Sequence, residues 1–163
     1  YFEPKEEINQ MDILIENMGR VNYGHKLLAD TQRKGIRQGV MTDLHFILDW
    51  EQYSLPFDKP LTLDYSKDWH EGQPGFYQFN FDAEQLEDTF IDMQAFGKGI
   101  VLVNGNHIGR FWNKGATQSL YIPKGFLNEG ANEVVIFETE GIYSDKISFT
   151  KAPIFDLVET TLH

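Results

Sequence analysis

The sequence predicts an all-β sandwich, on three observations. Runs of Val, Ile, Phe, Tyr and Thr are short, and Gly, Asn, Asp and Pro interrupt them every roughly 8 to 12 residues, the spacing of strands joined by tight turns. Several runs alternate in polarity or are apolar throughout, whereas a helical period is scarce. The strand segments expected are 12–16, 36–41, 45–53, 76–81, 89–93, 100–103, 107–112, 119–122, 133–138 and 146–150. Only 25–33, as two turns, and 124–128, as one, suit a helix.

The sharpest local signal is GIVLVNGNHIGRFW. Asn104-Gly105 between alternating apolar residues is the preferred pair for a type I′ turn, which needs φ > 0 at both central positions. It predicts that Val103 pairs with Asn106, Leu102 with His107 and Val101 with Ile108. In SLYIPKGFLNEGANEVVIFE, Pro123 ends a strand, one helical turn sets Phe126 and Leu127 on the core, Gly130 turns the chain and Asn132 opens the next strand. The unbroken run Val134, Val135, Ile136, Phe137 predicts cover on both faces of that strand. Phe76, Phe79, Phe81, Phe90, Phe111, Tyr121 and Phe137 sit where packing explains them. Trp50 is expected in the core, on the first strand of the sandwich.

Composition narrows the function. A chain of 163 residues, 41% hydrophobic and 14% aromatic, supports one domain with an appendage. Twenty-five acidic against 14 basic residues leave a net charge of −11, which repels phosphate backbones and anionic lipid, so neither nucleic acid nor a membrane is an expected partner. No apolar run approaches the roughly 18 residues that cross a bilayer, and the opening YFEPKEEINQ lacks the basic and apolar regions of a targeting segment. The chain opens without Met, on an acidic stretch leading into MDILIEN, as a piece of a larger protein would. With no cysteine there is no thiol chemistry and no thiolate metal site. The five histidines show neither HxH nor HExxH spacing, there is no D-x-D-x-D-G calcium loop, Gly97-Lys98-Gly99 lacks the rest of a phosphate loop, and no serine sits in a GxSxG elbow. No metal and no cofactor is expected.

The stretch VNGNHIGRFWNKGATQSLYIPKGFLNEGANEVVIFE resembles the C-terminal galactose-binding-like jelly roll of glycoside hydrolase family 35, the family of β-galactosidases. Upstream, DILIENMGRVNYG resembles the segment by which that family's preceding β domain leads into the jelly roll. The resemblance runs from about Met11 to Glu140, and ENMGRVNYG with GRFWN is its narrowest part. It implies an antiparallel jelly-roll β-sandwich, galactose-binding domain-like, with extra N-terminal strands: residues 1–43 close a preceding β domain, 44–152 form the jelly roll, and 153–163 are a C-terminal tail.

The resemblance also implies what this chain lacks. Family members carry a catalytic (β/α)8 barrel of roughly 250 residues, and the two glutamates that hydrolyse the galactoside stand on its strands. Retaining hydrolysis needs two carboxyl groups roughly 5 to 5.5 Å apart across the sugar. Glu16, Glu138 and Glu140 are expected instead on exposed strand faces as solubilising charge. The expected partner is thus the barrel of the same parent chain, with this portion non-catalytic and shaping the active-site mouth.

In NMGRVNYGH two readings compete. As a connection, Gly19 and Gly24 give backbone freedom, Arg20 meets a carboxylate and Tyr23 packs on the next strand. As an interface, Arg20 and Asn22 hold the barrel and Tyr23 forms a wall of an aglycone subsite. The alternative function is an autonomous carbohydrate-binding module for galactose-containing glycans, stacking sugar on Trp69 or Trp112. An edge-packed Trp112 is an equal reading.

Overall fold

The computed structural model describes residues 10–17, 19, 22–57, 62–68, 70–115 and 117–155. The chain divides into two compact units, Tyr1–Leu55 and Pro56–His163.

Unit 1 holds little regular structure. Strands β1 (Met41–Thr42) and β2 (His45–Phe46) form a hairpin with Met41 opposite Phe46, closed by Asp43 at φ 51 and by Ile47 N–H on Val40 C=O at 2.9 Å. Segments 12–16, 36–40 and 47–53, expected as strands, are not in a ladder. A β-branched run becomes a strand only when a neighbouring segment takes its N–H and C=O groups, and no strand among the described residues pairs with 12–15. The expected two-turn helix is a series of tight turns ending in a 3₁₀ turn at Asp30–Gln32. Trp50 stands in this unit, outside any strand and 36% exposed. It is not the core residue of the sandwich that its flanking apolar residues suggest.

Unit 2 is the predicted antiparallel sandwich. Strands β3 (Gly75–Ala83), β4 (Thr89–Asp92), β5 (Lys98–Val103), β6 (Asn106–Trp112), β7 (Ser119–Ile122), β8 (Gly130–Glu138) and β9 (Ser148–Thr150) build two sheets, ordered β3-β8-β5-β6 and β7-β4-β9. Ile91 and Ile122 from the smaller sheet meet Val101, Val103, Val134, Ile136 and Phe111 from the larger, with Met93, Phe96 and Leu127 closing the ends. Val135, Ile100 and Leu102 point to the opposite face, where Phe57, Leu63, Phe76 and Phe137 cover them. The central strand β8 is therefore packed on both faces, as its lost alternation foretells. Gly99 allows β5 and β8 to close, since a Cβ there would lie 1.8 Å from the Phe137 carbonyl oxygen.

Asn104 and Gly105, at φ 48 and 77, make the β5–β6 turn. Val103 faces Asn106 and Leu102 faces His107, but Val101 faces Gly109, not Ile108. Ile108 is the extra residue of a bulge, and it still packs against the core. Asn104 does more than turn the chain. Its Nδ2 donates to Phe126 C=O (2.7 Å) and Asn132 Oδ1 (2.8 Å), and its Oδ1 accepts from Glu133 N–H (2.9 Å). Buried Asn132 donates in turn to the Asn128 and Gly130 carbonyls and accepts from Asn128 N–H, each at 2.8 Å. The two amides tie the hairpin tip to the 3₁₀ turn at Lys124–Phe126.

Tyr121 departs from its expected place. It lies on the outer face of the smaller sheet, 47% exposed, with its ring 5.4 Å from that of Phe90.

Candidate functional site

In the loop that follows Glu16, Gly19 N–H donates to Asn17 Oδ1 at 2.9 Å, an Asx turn. Gly19 and Gly24 take φ of 92 and 113, values open to glycine and costly for other residues. Between them Asn22 is exposed and Tyr23 is 89% exposed, so its ring does not pack on a following strand. Arg20 lies outside the described residues.

Unit 1 also encloses a cleft of about 630 Å³, lined by Ile13, Ile15, Ile36 and Leu55 with Trp50 and Tyr53. Trp50 Nε1–H donates to Ile47 C=O at 2.8 Å, fixing the indole on its own turn. Tyr53 O–H donates to Glu51 Oε2 at 2.7 Å, and that bond to a carboxylate, with a smaller effect of burial, raises the phenol above its ordinary value. The stretch LDWEQYSLP carried the signal for this cleft, large apolar and aromatic side chains with charge between them, but as a buried strand rather than a wall.

In unit 2, Trp112 ends β6 at 41% exposure. Lys98 Nζ and Lys114 Nζ lie 5.3 and 5.9 Å from its ring centroid, within cation–π range. Trp69 lies outside the described residues. Glu138, expected on an exposed face, is fully buried. Its Oε1 accepts Lys98 N–H at 3.1 Å and its Oε2 accepts Ile142 N–H at 3.0 Å. Glu140 reaches toward it, both carboxylates lying within 3 Å of where a Cβ on Gly97 would stand. With both oxygens spent on backbone donors and no face open to solvent, Glu138 pins the start of β5 to the loop after β8 and presents nothing to a substrate. Its burial was hidden because it sits at the end of a strand, beside Thr139 and Glu140, which are not buried.

A second cleft, of about 570 Å³, runs along β3 and is walled by Tyr65, Tyr77 and Tyr143. These three come from separate segments, and no spacing in the sequence joins them. Among the described residues no group of three or more His, Asp or Glu is arranged to hold a metal ion, and no helix is long and apolar enough to cross a membrane.

The fold defines unit 2 as an antiparallel β-sandwich whose central strand is covered on both faces, and comparison with known families narrows that class. The β-galactosidase galactose-binding domain matches residues 74–132, within unit 2, and the β-galactosidase first all-beta domain matches residues 3–56, which is unit 1 almost to the residue. The chain belongs to the β-galactosidase domain family. It is 35% identical over 158 residues to β-galactosidase 1 of Dictyostelium discoideum, covering 88% of this chain and 23% of that protein. It is 33% identical over 148 residues to human β-galactosidase-1-like protein 2, covering 86% and 23%. With a β-galactosidase of Xanthomonas manihotis it shares 36% over 116 residues, 69% of this chain and 18% of that one. The chain thus spans less than a quarter of the length of each of these three relatives.

Proposed function

We propose that this chain is a non-catalytic portion of a family 35 β-galactosidase, which packs against the (β/α)8 barrel of the same parent chain and helps shape the mouth of its active site. One observation carries the reading. Unit 1 leaves large apolar side chains open, among them Leu28 at 87% exposed, Leu48 at 74% and Leu55 at 62%, beside the apolar walls of the 630 Å³ cleft, and exposed apolar surface of that kind favours an interaction site. A surface of that kind fits a unit whose cover is supplied by the rest of a longer chain, and the relatives' extra length provides one. Within this reading Tyr23 and Asn22, raised on the loop between Gly19 and Gly24, face the barrel.

Hydrogen exchange tests it. Amides of residues 10–17 and 47–55 should exchange fast in the 163-residue chain and slowly in the full parent enzyme. Equal rates in both would remove the interface. The chain alone should not hydrolyse a chromogenic β-galactoside. Turnover lost on substituting an Asp or Glu within it would place the chemistry here instead.

A further inference from the structure

Asn104 is the only asparagine in the sequence that precedes a glycine. That pair suits the β5–β6 turn, and it also suits a reaction of the main chain, because asparagine is thermally labile and Gly105 has no side chain to hinder attack by its own nitrogen. The Gly105 nitrogen bonds to Asn104 Cγ as the Cγ–Nδ2 bond breaks, and ammonia leaves with the nitrogen's proton, relayed through solvent. Water then opens the resulting succinimide at either carbonyl, giving aspartate, or isoaspartate with the main chain rerouted through Cγ. Gly105 lies exposed at the hairpin tip, where water reaches it.

The fold opposes the first step. Attack needs Cγ turned toward the Gly105 nitrogen at about 3 to 3.5 Å, whereas the Asn104 amide is held by other segments. Both Nδ2 hydrogens are donated, to Phe126 C=O and Asn132 Oδ1, and Oδ1 accepts Glu133 N–H. The main chain is held as well, Asn104 N–H donating to Glu133 C=O at 2.9 Å. The side-chain partners lie 22, 28 and 29 residues along the sequence, so the restraint exists only while the hairpin tip is docked on them. The fold opposes the product too. An aspartate oxygen in place of Nδ2 would face two acceptors, the Phe126 carbonyl and Asn132 Oδ1. Turning the Asn132 amide over offers no remedy, since its Nδ2 already donates to the Asn128 and Gly130 carbonyls and its Oδ1 accepts Asn128 N–H. Isoaspartate adds a main-chain atom to a turn that fixes φ at 48 and 77.

We propose that Asn104 is a deamidation site gated by the hairpin tip: docking protects it, each opening exposes it to the Gly105 nitrogen, and the acidic product cannot redock. A reversible local opening of the sandwich is thereby made permanent.

The test is incubation of the 163-residue chain at mildly alkaline pH, with aspartate and isoaspartate at position 104 measured by peptide mass spectrometry. Conversion should be slower by roughly tenfold or more in the native chain than in the chain unfolded by urea, because only the open fraction reacts. In sub-denaturing urea it should rise in step with hydrogen exchange of the Asn104 N–H. Asn132→Ala, kept below its melting temperature, should convert faster than the parent chain without denaturant. If that variant does not fold, the urea series on the parent decides alone. Asn104→Asp, which carries the product's carboxylate on an ordinary main chain, should melt below the parent. Equal conversion in native and unfolded chains, a rate in folded Asn132→Ala no higher than the parent's, or an Asn104→Asp variant as stable as the parent would each overturn the proposal.

Discussion

Unit 1 and unit 2 are made from similar residues and use them in opposite ways. Every buried apolar side chain among the described residues lies in unit 2, between Ile91 and Ile136. Unit 1 leaves Ile13, Leu14, Ile15, Leu28 and Leu48 exposed. The runs DILI in unit 1 and EVVIF in unit 2 differ little in composition, yet the second pairs on both edges and the first lies in no ladder. What separates them is the supply of neighbours. A strand gains its hydrogen bonds and its burial from other segments, and intrinsic preference alone contributes little.

The largest expected effect tests how tightly unit 2 is packed. Gly99→Ala would drive a Cβ against the Phe137 carbonyl oxygen and to 2.9 Å from Phe111 Cζ. Because backbone cannot yield as a flexible side chain does, β5 and β8 must separate, at a cost of about 4 kcal/mol or more. Gly125→Ala, with nothing within 4 Å and no positive φ, should leave the melting temperature nearly unchanged. Equal melting of the two variants would show that the β5–β8 contact is looser than described.

Next in size is Asn132→Ala. It removes two donors and an acceptor from a buried network that joins the hairpin tip to the turn before β8, leaving carbonyls and an N–H without partners. A loss of about 2 to 4 kcal/mol in chemical denaturation is expected. Leu48→Ser in unit 1 gives the contrast. In the 163-residue chain it should change stability by less than about 0.5 kcal/mol, as exposed positions do, and in the full parent enzyme it should cost considerably more.

These contrasts explain how much of the molecule was legible in its sequence. The Asn104-Gly105 hairpin and strand β7 depend on residues adjacent in the chain, so local turn chemistry and period reveal them. The bulge at Ile108 is set by how β6 lies on β5, which no local pattern encodes. Glu138 reads as an exposed charge because its burial depends on how the strand end meets the Lys98 and Ile142 N–H groups, which no local pattern shows. Tyr65, Tyr77 and Tyr143 meet only once the sheet has formed. Asn22 and Tyr23 stand out in sequence because the glycines flanking them do, and both are exposed.

Tyr23→Ala in the full parent enzyme sharpens the comparison further. If Tyr23 walls an aglycone subsite, kcat/KM for a natural disaccharide should fall by the equivalent of about 1 to 3 kcal/mol, by analogy with other stacking contacts, and a small artificial galactoside should be spared. If the ring only holds the interface, both substrates should suffer and the melting temperature should drop. Unchanged kinetics and stability would make the loop an ordinary connection.

The smallest expected effect is a titration. In unit 2 Asp88 Oδ1 accepts Lys124 N–H at 2.9 Å, and this bond, followed by one from the Tyr121 phenol, holds the carboxyl below 3.8. The contact between Tyr121 and Asp88 raises the phenol above 10.0. The signs are opposite and so are the pH windows. A depressed carboxyl contributes stability above its unfolded value and loses it as pH falls through the folded one, whereas a raised phenol contributes below its unfolded value and loses it as pH rises through the folded one. Between these limits the pair should be flat with pH. Unit 1 has a counterpart in Tyr53 and Glu51, only two residues apart, while Lys124 and Asp88 are 36 apart. The Asp88 shift therefore requires the folded sandwich and should vanish in denaturant. Carboxyl NMR should find the Asp88 midpoint below 3.8 in the native chain, partly restored by Tyr121→Phe and not fully, because the Lys124 N–H is the larger cause. A complete return in that variant would reverse the ranking of the two bonds.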